Sequence, residues 1–190
     1  MTYVTIKQTD IDYQALNNEM MNLIQEHHLM PHRHTNQISL TTNADVDDWY
    51  CSIGRVSEIK FSEKDYNRIQ PSLEGTYLHS IVNQFSEYYR WRLLRVPGRT
   101  MPYSIHRDGT DEFKNYRLHI PIQTNPEAFL AFFSSMPTSG ETCPIYFQHL
   151  ECGAAYDVDT TDLHTAWNLG NADRYHIVGV RYARSNNRSQ

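Results

Sequence analysis

Cysteine is scarce in this chain: Cys51, Cys143 and Cys152 make an odd number with no metal-like spacing. That argues against the paired framework of a disulfide-stapled secreted domain and makes a reducing compartment the expectation. No apolar run approaches the roughly 18 residues that mark a transmembrane helix. The opening MTYVTIKQTDIDYQ also lacks the basic-then-apolar order of an export signal. A soluble, cytoplasmic protein with no membrane partner is therefore expected. Positive charge is in short supply too, with 17 Lys and Arg against 22 Asp and Glu, a formal net charge of −5, and no basic cluster. Nucleic-acid binding through a basic face is accordingly not expected. Internal repeats, low-complexity tracts and a composition break between two zones are all missing, which favours one domain over the 190 residues.

What is present suffices for a core. Hydrophobic residues make up 39% and aromatics 12%, with 13 tyrosines among them. In IDYQALNNEMMNLIQEHH, residues Tyr13, Leu16, Met20, Leu23 and Ile24 recur at helical spacing, and TYLHSIVNQFSEYYRWRLL repeats the pattern with Tyr77, Leu78, Ile81, Phe85 and Tyr88. NQISLTTN and WYCSIGRV read as short strands around an acidic loop at 43–48. From Arg92 onward the pattern becomes short strands broken by turn residues: RLLRV, MPYSIH, YRLHIPIQ, AFLAFFS, IYFQHLE, GAAYDVD, LHTAWN and YHIVGVRY. Such a run predicts a sandwich, jelly roll or small barrel with helices packed outside it.

Within SIHRDGT, His106 and Asp108 are two residues apart. On a strand such residues share a face, so an imidazole and a carboxylate converge while Arg107 turns away. Alone, the pattern equally describes a surface strand end closed by a His–Asp hydrogen bond. His164 lies fifty-six residues beyond Asp108, again at a strand-like position. Two histidines and a carboxylate on one β face form the donor set that leaves coordination positions open and suits non-haem iron(II). Arg174 follows His164 by ten residues, across the turn NLGNAD. Its planar fork can meet a carboxylate in a cavity, or it can belong to a surface hairpin.

Taken together, VDTTDLHTAWNLGNADRYHIVGV and HRDGTDEFKNYRLHIPI resemble segments of the aspartyl/asparaginyl β-hydroxylase-like 2-oxoglutarate oxygenases. The resemblance covers about residues 92–182 and rests on H-x-D, Arg-x-His, His-x-x-x-Asn and the arginine at +10, in that order. It implies a mainly β fold with flanking helices around a double-stranded β-helix (jelly roll, cupin-like) core. Residues 92–184 would form that core and residues 1–91 a helical and strand region packing on it, within a single domain of 190 residues.

By the resemblance, Fe(II) is held by His106, Asp108 and His164, and 2-oxoglutarate and O2 are co-substrates. Arg174 would take the distal carboxylate of 2-oxoglutarate, and Arg117 and His119 would contact its metal-bound end. His176 shares a face with Arg174 and is either a pocket residue or a satisfied core histidine. Asn168 either contacts substrate or holds the turn. The implied reaction is hydroxylation of an unactivated C–H in an amino acid or peptidyl residue of Asp, Asn or Pro type, yielding succinate and CO2. Animal aspartyl β-hydroxylase lacks the carboxylate ligand that Asp108 supplies, so its substrate does not transfer.

Other readings remain at this level. A cupin-like metal protein without 2-oxoglutarate turnover and a non-catalytic β-sandwich interaction module fit the same strand pattern. The cluster His27, His28, His32 and His34 suggests a helix end and an exposed loop more than a zinc or nickel site, because Pro31 interrupts it. FSEYYRWRLLR reads as core and helix surface rather than a stacking platform for single-stranded nucleic acid. Oligomeric state is not legible.

Overall fold

Alternation along the last strand sets the architecture. Over Arg174–Arg184, the residues Arg174, His176, Val178 and Val180 face one way, and Tyr175, Ile177, Gly179 and Arg181 the other. The computed structural model describes residues 2–26, 36–54, 62–100, 104–108 and 113–184. In chain order the elements are β1 (Val4–Lys7), α1 (Tyr13–Glu26), β2 (Gln37–Ser39), β3 (Thr41–Thr42), β4 (Arg68–Ile69), α2 (Tyr77–Gln84), β5 (Tyr89–Val96), β6 (Phe113–Gln123), β7 (Ala128–Phe133), β8 (Ile145–Gln148), β9 (Ala155–Asp159), β10 (His164–Asn168) and β11 (Arg174–Arg184). Six of the strands form a major sheet in the order β1-β9-β6-β11-β5-β2, and three form a minor sheet in the order β10-β7-β8. All their pairings are antiparallel.

The two faces of the major sheet differ. Its outer face presents Leu118, Ile120 and Ile122 of β6, Ile177 of β11 and Trp91 and Leu93 of β5. These pack in one cluster with Leu16, Met20 and Leu23 of α1 and Leu78 and Ile81 of α2. Asp12 caps α1 by accepting from the backbone N–H of Gln14 and Ala15 at 3.1 and 3.0 Å. The Glu19 carboxylate then accepts from the first N–H groups of α2, Tyr77 and Leu78, at 2.8 Å each, so an anion meets the positive end of that helix. Gly179 sits where an added Cβ would lie 2.9 Å from the Trp91 ring, so the indole packs directly over the β11 backbone.

The inner face meets the minor sheet. Tyr156 and Val158 of β9 pack with Leu130 and Phe132 of β7, with Tyr3 stacked on Phe132 at 4.4 Å. Cross-strand partners share a face, so the register carries this inner side across the sheet. Arg117 lies opposite Val158 and Val180, and the row Tyr156–His119–Val178–Arg92–Ser39 runs beside it. Two facing antiparallel sheets with helices outside the larger one make a double-stranded β-helix, as the strand pattern predicts. The major sheet draws β1, β2 and the start of β5 from residues before 92.

Local expectations fail in three places. The second helix stops at Gln84, and strand β5 begins at Tyr89, three residues ahead of the strand expected from Arg92. Ladders to both β2 and β11 hold it, and tertiary pairing outweighs helical spacing there. Residues 49–54 form turns rather than a strand, because Asp48 folds its carboxylate back onto the N–H of Tyr50 at 3.0 Å. Strand β1 carried no recognised signal. The cluster His27, His28, His32 and His34 lies outside the described residues, as do the first residues of MPYSIH. Among the described residues no helix is long and apolar enough to cross a membrane.

Candidate metal centre

His164 opens β10 on the inner face of the minor sheet, in register with Phe132. His106 forms an antiparallel bridge with it, the backbones exchanging N–H···O bonds of 3.1 and 2.9 Å. Directly opposed residues project to the same side, and the two imidazole centroids stand 4.5 Å apart. Asp108, two residues past His106, shares that side, and its backbone N–H donates to the Thr160 carbonyl at 3.0 Å. The carboxylate lies 3.6 Å from His106 Nε2 and 3.4 Å from His164 Nε2. One donor atom from each of the three falls within 4.8 Å of the others.

The far nitrogens fix which atoms face the centre. His106 Nδ1 lies 2.7 Å from the Ser104 carbonyl and His164 Nδ1 2.9 Å from that of Asp162. A carbonyl only accepts, so each Nδ1 carries the proton and each Nε2 is left with its lone pair. Burial, then the neighbouring His164, lowers the His106 pKa and so favours the neutral imidazole that a metal needs. Burial works against ionising Asp108, but Arg117 and the two histidines outweigh it and hold the carboxyl well below the usual carboxylate range.

Arg117 Nη2 stands 2.7 Å from Asp108 Oδ2, close enough for an ion pair. Yet Oδ2 is buried without a properly directed hydrogen bond, so it keeps acceptor capacity. An anionic oxygen, two imidazole lone pairs and a half-exposed approach at His106 fit a divalent metal with open positions.

Further along the inner face lies a second group. Arg174 is buried with its guanidinium against the His176 ring, Nε 2.9 Å from Nε2 and Nη2 3.0 Å from Nδ1. His176 Nδ1 in turn is 3.2 Å from His119 Nδ1. Burial first, then the charge of Arg174, lowers the pKa of both histidines well below the ordinary imidazole value, so they stand on the inner face as neutral groups.

The turn that delivers Arg174 is heavily tied down. Asp173 accepts from Arg95 Nε at 2.6 Å and from the Gly98 N–H at 3.0 Å. Asn168 donates to the Val96 and Ala172 carbonyls at 2.9 Å each and accepts from Asn125 at 3.0 Å. A side chain so committed holds the turn and has little left for a substrate.

His106, Asp108 and His164 thus converge as the spacing predicts. Arg117, His119, Arg174 and His176 lie along the same inner face, and Asn168 holds the turn that leads into Arg174. Sequence reasoning missed Arg92, a buried inner-face cation on β5. The available signal was period-two alternation in RLLRV, where Arg92, Leu94 and Val96 oppose Leu93 and Arg95; the stretch reads as a strand, but the pattern alone does not say which face turns inward.

No protein-family signature matches the sequence, and no curated protein is significantly similar to it. Solved structures do share the fold. AviO1 from Streptomyces viridochromogenes Tue57 aligns over 95% of this chain and 89% of its own, at TM-score 0.52 and 15% identity. The non-haem α-ketoglutarate-dependent carbocyclase SnoK from nogalamycin biosynthesis aligns over 92% and 76%, at TM-score 0.50 and 13% identity. A prolyl-4-hydroxylase from Pseudomonas putida aligns over 97% and 94%, at TM-score 0.50 and 9% identity. At these identities the likeness is one of fold.

Proposed function

We propose that this chain is an Fe(II)- and 2-oxoglutarate-dependent oxygenase that uses O2 to hydroxylate an unactivated C–H bond of an amino acid or peptidyl residue. The observation that carries the reading is the convergence of His106, Asp108 and His164 within 4.8 Å, with a buried Arg174 further along the inner face of the major sheet. The fold shared with SnoK and the prolyl-4-hydroxylase supports it by analogy.

In this reading His106, Asp108 and His164 hold the iron. The iron supplies the oxidising power when bound, and 2-oxoglutarate leaves as succinate and CO2. The chain's own residues position and neutralise. Arg117 balances Asp108 and, with His119 two residues further along the same face, would contact the co-substrate near the metal. Arg174 would receive the distal carboxylate at its Nη1–Nη2 end, since its Nε and Nη2 already face the His176 ring, which holds the guanidinium in one orientation. Asp, Asn and Pro, free or in a peptide, are the substrates the sequence resemblance suggests, and the cytoplasm is the expected setting. The test is Fe(II)- and O2-dependent conversion of 2-oxoglutarate to succinate, stimulated by an added substrate. Purified protein that binds neither iron nor 2-oxoglutarate contradicts the reading.

A further inference from the structure

Arg92, Arg117 and Arg174 project from the inner face of the major sheet, against one carboxylate, Asp108, among the described residues of the centre. Arg117 is paired with that carboxylate and Arg174 lies against His176. Arg92 is different. It is 1% exposed, and among the described residues its one hydrogen bond runs from Nη1 to the Gln37 side-chain oxygen at 2.8 Å. Its Nε and Nη2 are buried and meet no partner among the described residues. The other anion that acts on it, Glu63, is already engaged by Arg90 and Tyr182. A buried guanidinium with two idle donors is costly unless something else satisfies it.

Which donors are idle matters. Nε and Nη2 form the parallel edge of the guanidinium, the pair that meets both oxygens of a carboxylate at once. Gln37 occupies only Nη1 and leaves that edge unengaged. Arg92 lies in the same cross-strand row as His119, two residues from the Arg117 row and two from the Leu94–His176 row. It therefore sits on the inner face between Arg117 and Arg174, displaced toward β2.

Charge balance points the same way. Fe(II) and dianionic 2-oxoglutarate cancel, which still leaves more guanidiniums than carboxylates inside. Both carboxylates of 2-oxoglutarate also have places already, one at the metal and one at Arg174. We infer that Arg92 receives the carboxylate of the primary substrate, so that the enzyme acts on a small free carboxylic acid such as an α-amino acid rather than on an internal residue of a peptide. This rests on the oxygenase reading and narrows it.

The experiment separates the two claims. Wild-type protein with Fe(II) and 2-oxoglutarate is first titrated anaerobically; absence of 2-oxoglutarate binding refutes the oxygenase reading itself. With binding established, the twenty L-amino acids are compared with their C-terminal amides for stimulation of 2-oxoglutarate turnover. At least one acid is expected to stimulate while its amide does not. Arg92→Gln should raise that acid's half-saturation by about tenfold or more and leave the 2-oxoglutarate titration unchanged. Arg92→Met guards against misfolding: without ligand it should melt no lower than wild type, since it removes an unpaired buried charge.

Four outcomes overturn the inference: an amide that works as well as its acid, no acid that stimulates an enzyme competent for 2-oxoglutarate, an Arg92→Gln defect in 2-oxoglutarate rather than acid, or an Arg92→Met protein that melts well below wild type.

Discussion

The two faces of strand β11 are built from different chemistry at the same depth of burial. Facing outward, Ile177 is completely buried among the side chains of Leu118, Ile120, Leu93 and the two helices. Facing inward, Arg174 and His176 are almost as inaccessible, at 4% and 2% exposure. The outward set stabilises by removing apolar surface from water, about 25 cal/mol per Å2. The inward set gains little from burial, because desolvating guanidinium and imidazole groups opposes folding. Groups held at such a cost on one face of an otherwise ordinary sheet are the ones proposed to bind the co-substrate. The contrast also explains why the helices sit where they do: they cover the apolar face and leave the polar one to the minor sheet.

Four perturbations sharpen this contrast. The largest effect is expected from His164→Ala, which removes a donor from the inner face. Iron affinity should fall by about 100-fold or more and turnover should vanish, while the melting temperature of the metal-free protein holds. Ile120→Ala acts on the other face and should do the reverse. A cavity beneath α1 costs about 2–5 kcal/mol in denaturant unfolding, with iron bound as in wild type at temperatures where the protein remains folded. Arg174→Ala should raise the 2-oxoglutarate requirement by about 10- to 100-fold, as expected for loss of a charge-assisted pair, without changing iron affinity. An unchanged requirement would return Arg174 to a purely structural role.

The smallest effect is on pH dependence. His119 and His176 have lowered pKa values in the folded chain, so below the ordinary imidazole pKa the unfolded chain binds protons the folded one does not. Stability of the metal-free protein should be level above about pH 6.5 and fall as pH drops below it, by up to about 1.4 kcal/mol per pH unit for each histidine. Denaturant melts between pH 7 and 5 check this; His176→Gln should flatten the slope, and an unaltered slope would mean that His176 is charged when folded.

The centre was legible in the sequence because strands write their faces with period two. H-x-D puts His106 and Asp108 together, and His164 at a strand start supplies the third donor without knowledge of any contact. The spacing did not reveal that His106 and His164 are directly bridged, or that Arg117 neutralises Asp108, since both depend on which strands become neighbours. Arg92 was lost for a related reason. RLLRV reads as a strand from Arg92, but only the ladders to β2 and β11 fix which of its faces turns inward. The turn at Trp49 was misread because local Asp48 bonding, not hydrophobic pattern, decides it.

Anaerobic titration of the metal-free protein with Fe(II), followed by 2-oxoglutarate and read by visible absorption, tests the metal centre most directly. The expected result is one iron per chain and a metal-to-ligand charge-transfer band that appears when 2-oxoglutarate is added and is lost in His164→Ala. Iron that binds without any such band, or a band that survives in His164→Ala, would contradict it.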